Sequence, residues 1–145
     1  MVEDQFRMPT VDIIIEKGKK VILIKRDAEP CRGKLAIPGG KVEKEETVED
    51  AAAREAKEET SLDVKLKEIL GVYSSPGRHP WFPTVATVFI AEPVNENLKA
   101  SSDAAEAKWI DIDKIDMKNL AFDHIKIIED YKKWKKTKQT YWSSK

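Results

Sequence analysis

Three glutamates at helical spacing carry the most chemistry in this chain. Glu58 follows Glu55 by three positions and Glu59 by four, within the segment Gly40 to Leu62. On a helix these spacings place the three carboxylates on one face. Like charges so arranged repel and weaken the helix, so a cationic partner is expected. A hard divalent cation prefers oxygen ligands and combines a few carboxylates with water and substrate phosphates. Crowded carboxylates also raise one another's pKa, and a bound cation lowers it again. The chemistry this suits is attack of water on a phosphate, with the metal charge neutralising the phosphate. Clustered glutamates by themselves are more often a solvated, ion-paired helix face, so the surrounding segment has to decide.

The elements that position these residues are legible nearby. Thr47 is a helix N-cap with Asp50 as its capping-box partner. The run AAAREAKEE that follows is made of strong helix formers. Arg54 lies about a quarter turn from the carboxylates and can pair with Glu46, locking the preceding loop to the helix. Before the helix, Leu35-Ala36-Ile37 is stopped by Pro38-Gly39-Gly40. Two glycines after a proline allow a tight turn, close approach to a ligand, and a free carbonyl.

Further out, Val11–Ile15 and Val21–Ile24 read as a hairpin turning at Gly18. Arg26–Lys34 reads as a loop, Val64–Tyr73 as a strand and Ser74–Pro83 as a proline-rich loop. Thr84–Ala91 is the strongest strand signal, Glu92–Ala105 a loop, and Lys108–Ile112 a short strand. Ile125, Ile127, Ile128, Tyr131 and Trp134 recur at helical spacing, giving a core-facing helix from about Asp123. Tyr141 and Trp142 follow in a basic tail expected to fray. Strands alternating with two helices imply an α/β or α+β sandwich over residues 1–145 as a single domain.

With Gly40, Glu46 after five intervening residues, Arg54-Glu55 after seven more, and then Glu58-Glu59, the segment resembles the box of the Nudix family. Two positions depart from it: Ala56 stands where a bulky aliphatic residue is usual, and Ser61 where the family has glycine. A left-handed serine at that helix end costs about 1 kcal/mol. The resemblance implies a mixed β-sheet between helices. It also implies divalent-metal-dependent hydrolysis of a nucleoside diphosphate linked to another moiety. In that reading Glu55, Glu58 and Glu59 are ligands of Mg²⁺ or Mn²⁺, the Gly39 carbonyl joins them, and Glu46 with Arg54 forms a structural pair.

The substrate must be read elsewhere. Tyr73–Pro80 and Ala121–His124 are similar to segments of the family's ADP-ribose pyrophosphatases, which implies ADP-ribose. Arg78 is a candidate for a phosphate, and Trp81 and Phe82 are candidates for stacking a purine. Trp81 and Phe82 can equally pack onto their own strand. Arg26, with Lys25 and Lys34, precedes the glycine turn and either meets phosphates or stays in solvent. Glu106 and Glu58 are the candidates for general base or extra ligand. His79 and His124 are proton donors or, more simply, surface or capping residues. Two other readings stay open: a hydrolase of oxidised nucleoside triphosphates, and a nucleotide sensor that does not cleave.

Composition excludes several classes. Lys plus Arg and Asp plus Glu both number 26, so the chain lacks the strong positive charge of a nucleic-acid binder. No window approaches a membrane span. The single cysteine, Cys31, rules out an intrachain disulfide and fits a reducing cytoplasm. The expected partner is a nucleotide-type small molecule; a homodimer stays open.

Overall fold

The strand Met8–Lys17 (β1) is apolar on both faces, and this sets the layering. The computed structural model describes residues 5–99 and 104–145. Val11, Ile13 and Ile15 of β1 pack with Ala51, Ala52 and Ala56 on one side of the sheet. Ile14 points the other way, among Leu70, Tyr73, Ile127, Ile128 and Tyr131. A strand buried on both faces needs a layer above and a layer below. Helices Val48–Thr60 (α1) and His124–Thr137 (α2) supply them.

The expected sandwich is therefore present, and its sheet is mixed. β1 forms a hairpin with Lys20–Arg26 (β2), turning at Gly18 with φ +61°. Leu35–Ala36 (β3) pairs with β2, and Gly39–Lys41 (β4) pairs with β1, both antiparallel. Val64–Tyr73 (β5) is antiparallel to Thr84–Pro93 (β6), and β6 runs parallel to β1. Ala104–Asp111 (β7) covers the other edge of β2 and is longer than the strand expected at Lys108–Ile112. The loop expected over Glu92–Ala105 is shortened at both ends, and residues 100–103 lie outside the described residues.

The tail expected to fray does not. Tyr141–Trp142 (β8) pairs in parallel with β5, and Tyr141 is buried. Gly71 allows this, because a Cβ there would overlap the Tyr141 carbonyl.

Helix α1 starts at the expected cap, where the Asp50 N–H donates to Thr47 Oγ1 at 3.1 Å. Ala56 is fully buried with Ala51 and Ala52, so this face of α1 meets the sheet through small side chains rather than a bulky aliphatic. Ser61 ends the helix at φ 64°, its N–H bonded to the Lys57 carbonyl at 2.9 Å. The serine thus adopts the left-handed turn that suits glycine. Ser61→Gly should stabilise the fold by about 0.5 kcal/mol, the relief of left-handed strain being partly offset by the freer unfolded chain. Urea denaturation checks this; a loss of stability would show that the serine side chain makes a contact the turn needs.

Candidate active site

The glycine turn is pressed between β1 and the carboxylates of α1. In register, Gly39 faces Asp12 and Gly40 faces Val11. A Cβ on Gly39 would overlap the Val11 carbonyl and the Asp12 carboxyl. One on Gly40 would overlap the Glu55 carboxyl. The N–H of Gly39 donates to Glu59 Oε1 at 3.1 Å. Glycine is needed at both positions for this close approach.

Arg54 holds the assembly together. Its Nε and Nη2 grip Glu46 at 2.6 and 2.8 Å, and Glu46 also accepts the Glu43 N–H. Nη1 donates to Glu55 at 2.9 Å and to Glu58 at 3.2 Å, and Nη2 to the Lys41 carbonyl at 3.0 Å. All five guanidinium N–H groups are thereby used. This corrects the expectation that Arg54 faces away from the carboxylates. A quarter turn at the backbone is spanned by a long side chain that reaches back across the face. The Arg54 bonds hold the Glu46 carboxyl down at about 2.

Burial pushes the Glu59 carboxyl well above its ordinary range, and the neighbouring Glu55 adds to the rise. The Gly39 N–H pulls it back. Burial raises Glu55 as well, against the opposing pull of Arg54.

Beside Glu59 a cavity of about 180 Å³ opens. That is below the roughly 300–1,000 Å³ of sites enclosing a whole drug-sized ligand, so it suits one moiety of a larger substrate. Its polar end is Asp12, Gly39, Gly40 and Glu59. Its other walls include Arg26, Lys41, His79, Phe82 and Phe122. The His79 ring stacks on Phe122 at 4.9 Å and lies 5.2 Å from Phe82. Arg26 sits 5.0 Å over Phe122, and Lys41 sits 4.7 Å over Phe82. The N–H groups of Trp81 and Phe82 both donate to His79 Nδ1 at 3.1 Å. The His79 proton is therefore on Nε2. Burial, helped by Arg26, Arg78 and Lys41, lowers its pKa.

The floor holds a buried polar network. Arg78 is 7% exposed, and its fork donates to both oxygens of Asp123 at 2.9 and 2.8 Å. A third bond reaches Thr84 Oγ1 at 2.8 Å, and Asp12 lies 3.8 Å away. His124 is buried, which corrects its reading as a surface or capping residue. Its Nδ1 accepts the Ile37 N–H at 3.0 Å, and its Nε2 stands 3.7 Å from Asp12. Burial, with Arg78 and Arg26 nearby, pushes the imidazole down to about 3. Burial raises Asp12 to about 7 against the pull of Arg78.

The other expected residues fall outside this group. Trp81 is 60% exposed and does not line the cavity. Glu106 lies on β7 opposite Lys25, and its carboxyl pairs with Lys108 at 2.8 Å. Lys25 and Lys34 are exposed. Sequence reasoning missed Asp12 and Lys41, and gave Phe122 no role of its own although it lies in the segment Ala121–His124. Asp12 did leave a signal: it is the one charged residue inside the apolar run Val11–Ile15.

Residues 6–131 match the profile of the NUDIX domain. The chain belongs to the Nudix family. It is 52% identical over 125 residues to the ADP-ribose pyrophosphatase of Methanocaldococcus jannaschii, covering 86% of this chain and 73% of that protein. The Homo sapiens 8-oxo-dGDP phosphatase NUDT18 is 33% identical over 101 residues, 67% of this chain but 30% of that one. Among solved structures, a NUDIX hydrolase from Nitrosomonas europaea superposes with a TM-score of 0.83 at 28% identity, over 94% of this chain and 77% of that one.

Nudix hydrolases work with a divalent cation, and the donor set here suits one. Its groups are carboxylates and a glycine carbonyl, the oxygen ligands a hard cation prefers. Beyond the effect of burial, Glu58 raises the Glu55 carboxyl and Glu55 raises that of Glu59, a crowding of charge that a cation relieves. Among the described residues no ready-made cluster of three ligating side chains is formed. Arg54 engages Glu55 and Glu58, and Glu58 is 57% exposed on a single 3.2 Å bond. No helix among the described residues is long and apolar enough to cross a membrane.

The buried imidazole has a pH signature. Unfolded, His124 takes its proton below about pH 6.5; folded, only near 3. Its contribution to stability is complete above pH 6.5 and is lost as pH falls towards 3. Asp12 works in the opposite sense, since the folded carboxyl keeps its proton up to about 7. His124→Asn keeps an acceptor for Ile37 and removes this proton. Its unfolding free energy should fall less steeply than wild type on acidification, by about 1.4 kcal/mol per pH unit between about pH 6 and 4. Parallel pH profiles in urea would contradict a neutral buried imidazole.

Proposed function

We propose that this chain hydrolyses ADP-ribose, with water attacking one phosphorus of the pyrophosphate to release AMP and ribose 5-phosphate. The observation that carries the proposal is the cavity that opens beside Glu59, with acid at one end and aromatic rings and cations around the rest. The M. jannaschii relative, named an ADP-ribose pyrophosphatase, supports the choice of substrate.

Glu55, Glu58, Glu59 and the Gly39 carbonyl would hold Mg²⁺ or Mn²⁺. When bound, the cation neutralises pyrophosphate charge and makes water a better nucleophile. Arg54 and Glu46 hold the carboxylates against the glycine turn. Glu58 is the better candidate for general base than Glu106, because it shares the helical face of Glu55 while Glu106 is paired on β7. Phe82 and Phe122 offer faces to the adenine, with Trp81 held outside. Arg26 and Lys41 meet phosphate charge at the walls. Arg78 positions the loop through Asp123 rather than holding phosphate, since its fork is engaged. The cytoplasm, where Cys31 stays reduced, is the proposed compartment.

A second reading is cleavage of an oxidised nucleoside di- or triphosphate, favoured by the 33% identity to the 8-oxo-dGDP phosphatase. Purine stacking serves both substrates. A substrate panel with Mg²⁺, scored for AMP, phosphate and pyrophosphate, separates them. ADP-ribose should be turned over fastest, and Glu58→Gln and Glu59→Gln should each lose at least roughly 100-fold in kcat. Unchanged turnover in both variants would remove the assigned metal site. ADP-ribose binding in calorimetry without turnover at any divalent metal would make the protein a sensor.

A further inference from the structure

The segment after α2 lies beyond the residues matched by the NUDIX profile, yet it is built into the fold. Lys138 closes α2 at φ 57°, with its N–H on the Trp134 carbonyl. β8 then lies along β5, with Tyr141 opposite Gly71 and Trp142 opposite Val72. The Tyr141 hydroxyl is 2.9 Å from Thr137 Oγ1, which ties the strand back to the helix. One residue past β8, the Ser143 hydroxyl oxygen accepts two backbone N–H groups, from Ser74 at 2.8 Å and Ser75 at 3.2 Å.

Ser74 and Ser75 are the first residues of the loop that carries Arg78, His79 and Phe82 to the cavity. The loop turns immediately after them, with the Arg78 N–H bonded to the Ser75 carbonyl at 3.1 Å. Its middle is anchored by Arg78 on Asp123, and its end by the Met8 N–H on the Pro83 carbonyl. Ser143 supplies the anchor at its start.

We propose that β8 and Ser143 brace the substrate loop, making Ser143 a positioning residue for substrate binding that acts through His79 and Phe82. This rests on the assignment of the cavity as the substrate site. Two loop N–H groups lose a protein acceptor when the hydroxyl is removed, and the loop then samples more conformations. Ordering them on binding weakens affinity. The carboxylates of α1 are held by Arg54 and the glycine turn, so the chemical step is untouched.

The test compares Ser143→Ala, Ser143→Thr and Gly71→Ala, the last displacing β8 through its Cβ. Hydrogen exchange at the Ser74 and Ser75 amides is measured on the protein alone, and KM and kcat are measured with ADP-ribose and saturating Mg²⁺. Ser143→Ala should speed exchange at both amides and raise KM, each by roughly threefold to tenfold, with kcat within about twofold of wild type. Ser143→Thr restores the oxygen and should return both values, and Gly71→Ala should reproduce the alanine effect. Wild-type exchange and KM in Ser143→Ala would overturn the proposal. So would a fall in kcat at constant KM, or a threonine variant indistinguishable from alanine. Lack of ADP-ribose turnover by the wild type would count against the proposed substrate, and exchange at Ser74 and Ser75 would still decide whether the brace exists.

Discussion

Glu55 lies so close to Gly40 that no side chain fits between them, and Glu59 takes the N–H of Gly39. Two partly buried carboxyls thus face one turn of backbone. The Arg54 guanidinium ties this face to the loop before it, with two bonds to Glu55 and Glu58 and three to Glu46 and the Lys41 carbonyl. Most of the fold serves that arrangement. β1 carries the turn as an added antiparallel strand, and small alanines bring α1 down onto the sheet. The left-handed serine at the far end of α1 closes the loop–helix–loop unit.

On the other face of the sheet, a second polar network does a different job. Arg78, Asp123, Asp12 and His124 connect the loop after β5, the start of α2 and the centre of β1. Burial keeps His124 neutral and raises Asp12, so the network carries less charge than its side chains suggest. Asp12 joins the two centres, because its neighbour in register is Gly39. The cavity lies between them, bounded by carboxylates on one side and by rings fixed from the loop on the other.

Local patterns made the helices, the hairpin, the Thr47 cap and the Glu46–Arg54 pair legible from the sequence. Each depends on residues within about one or two turns of one another. What escaped depends on contacts made across the sheet. Arg78 reads as a free cation in a loop, yet it is paired with Asp123, 45 positions away. His124 reads as a helix-end residue, yet Ile37, just past β3 and far off in the chain, supplies its partner. Tyr141 reads as part of a frayed tail because the feature that seats it is the absence of a side chain at Gly71. Lys41 carries no motif and Phe122 only the resemblance of Ala121–His124, and it is the folded cavity that shows both as part of its lining.

The central claim is that the carboxylates of α1, braced by Arg54, form a cation site. Mn²⁺ titration followed by electron paramagnetic resonance measures it without substrate. Wild type should bind Mn²⁺, Glu59→Gln should bind far more weakly, and Arg54→Lys should lose roughly 10–100-fold in affinity because the supporting fork is gone. Mn²⁺ affinity unchanged in both variants would contradict the account.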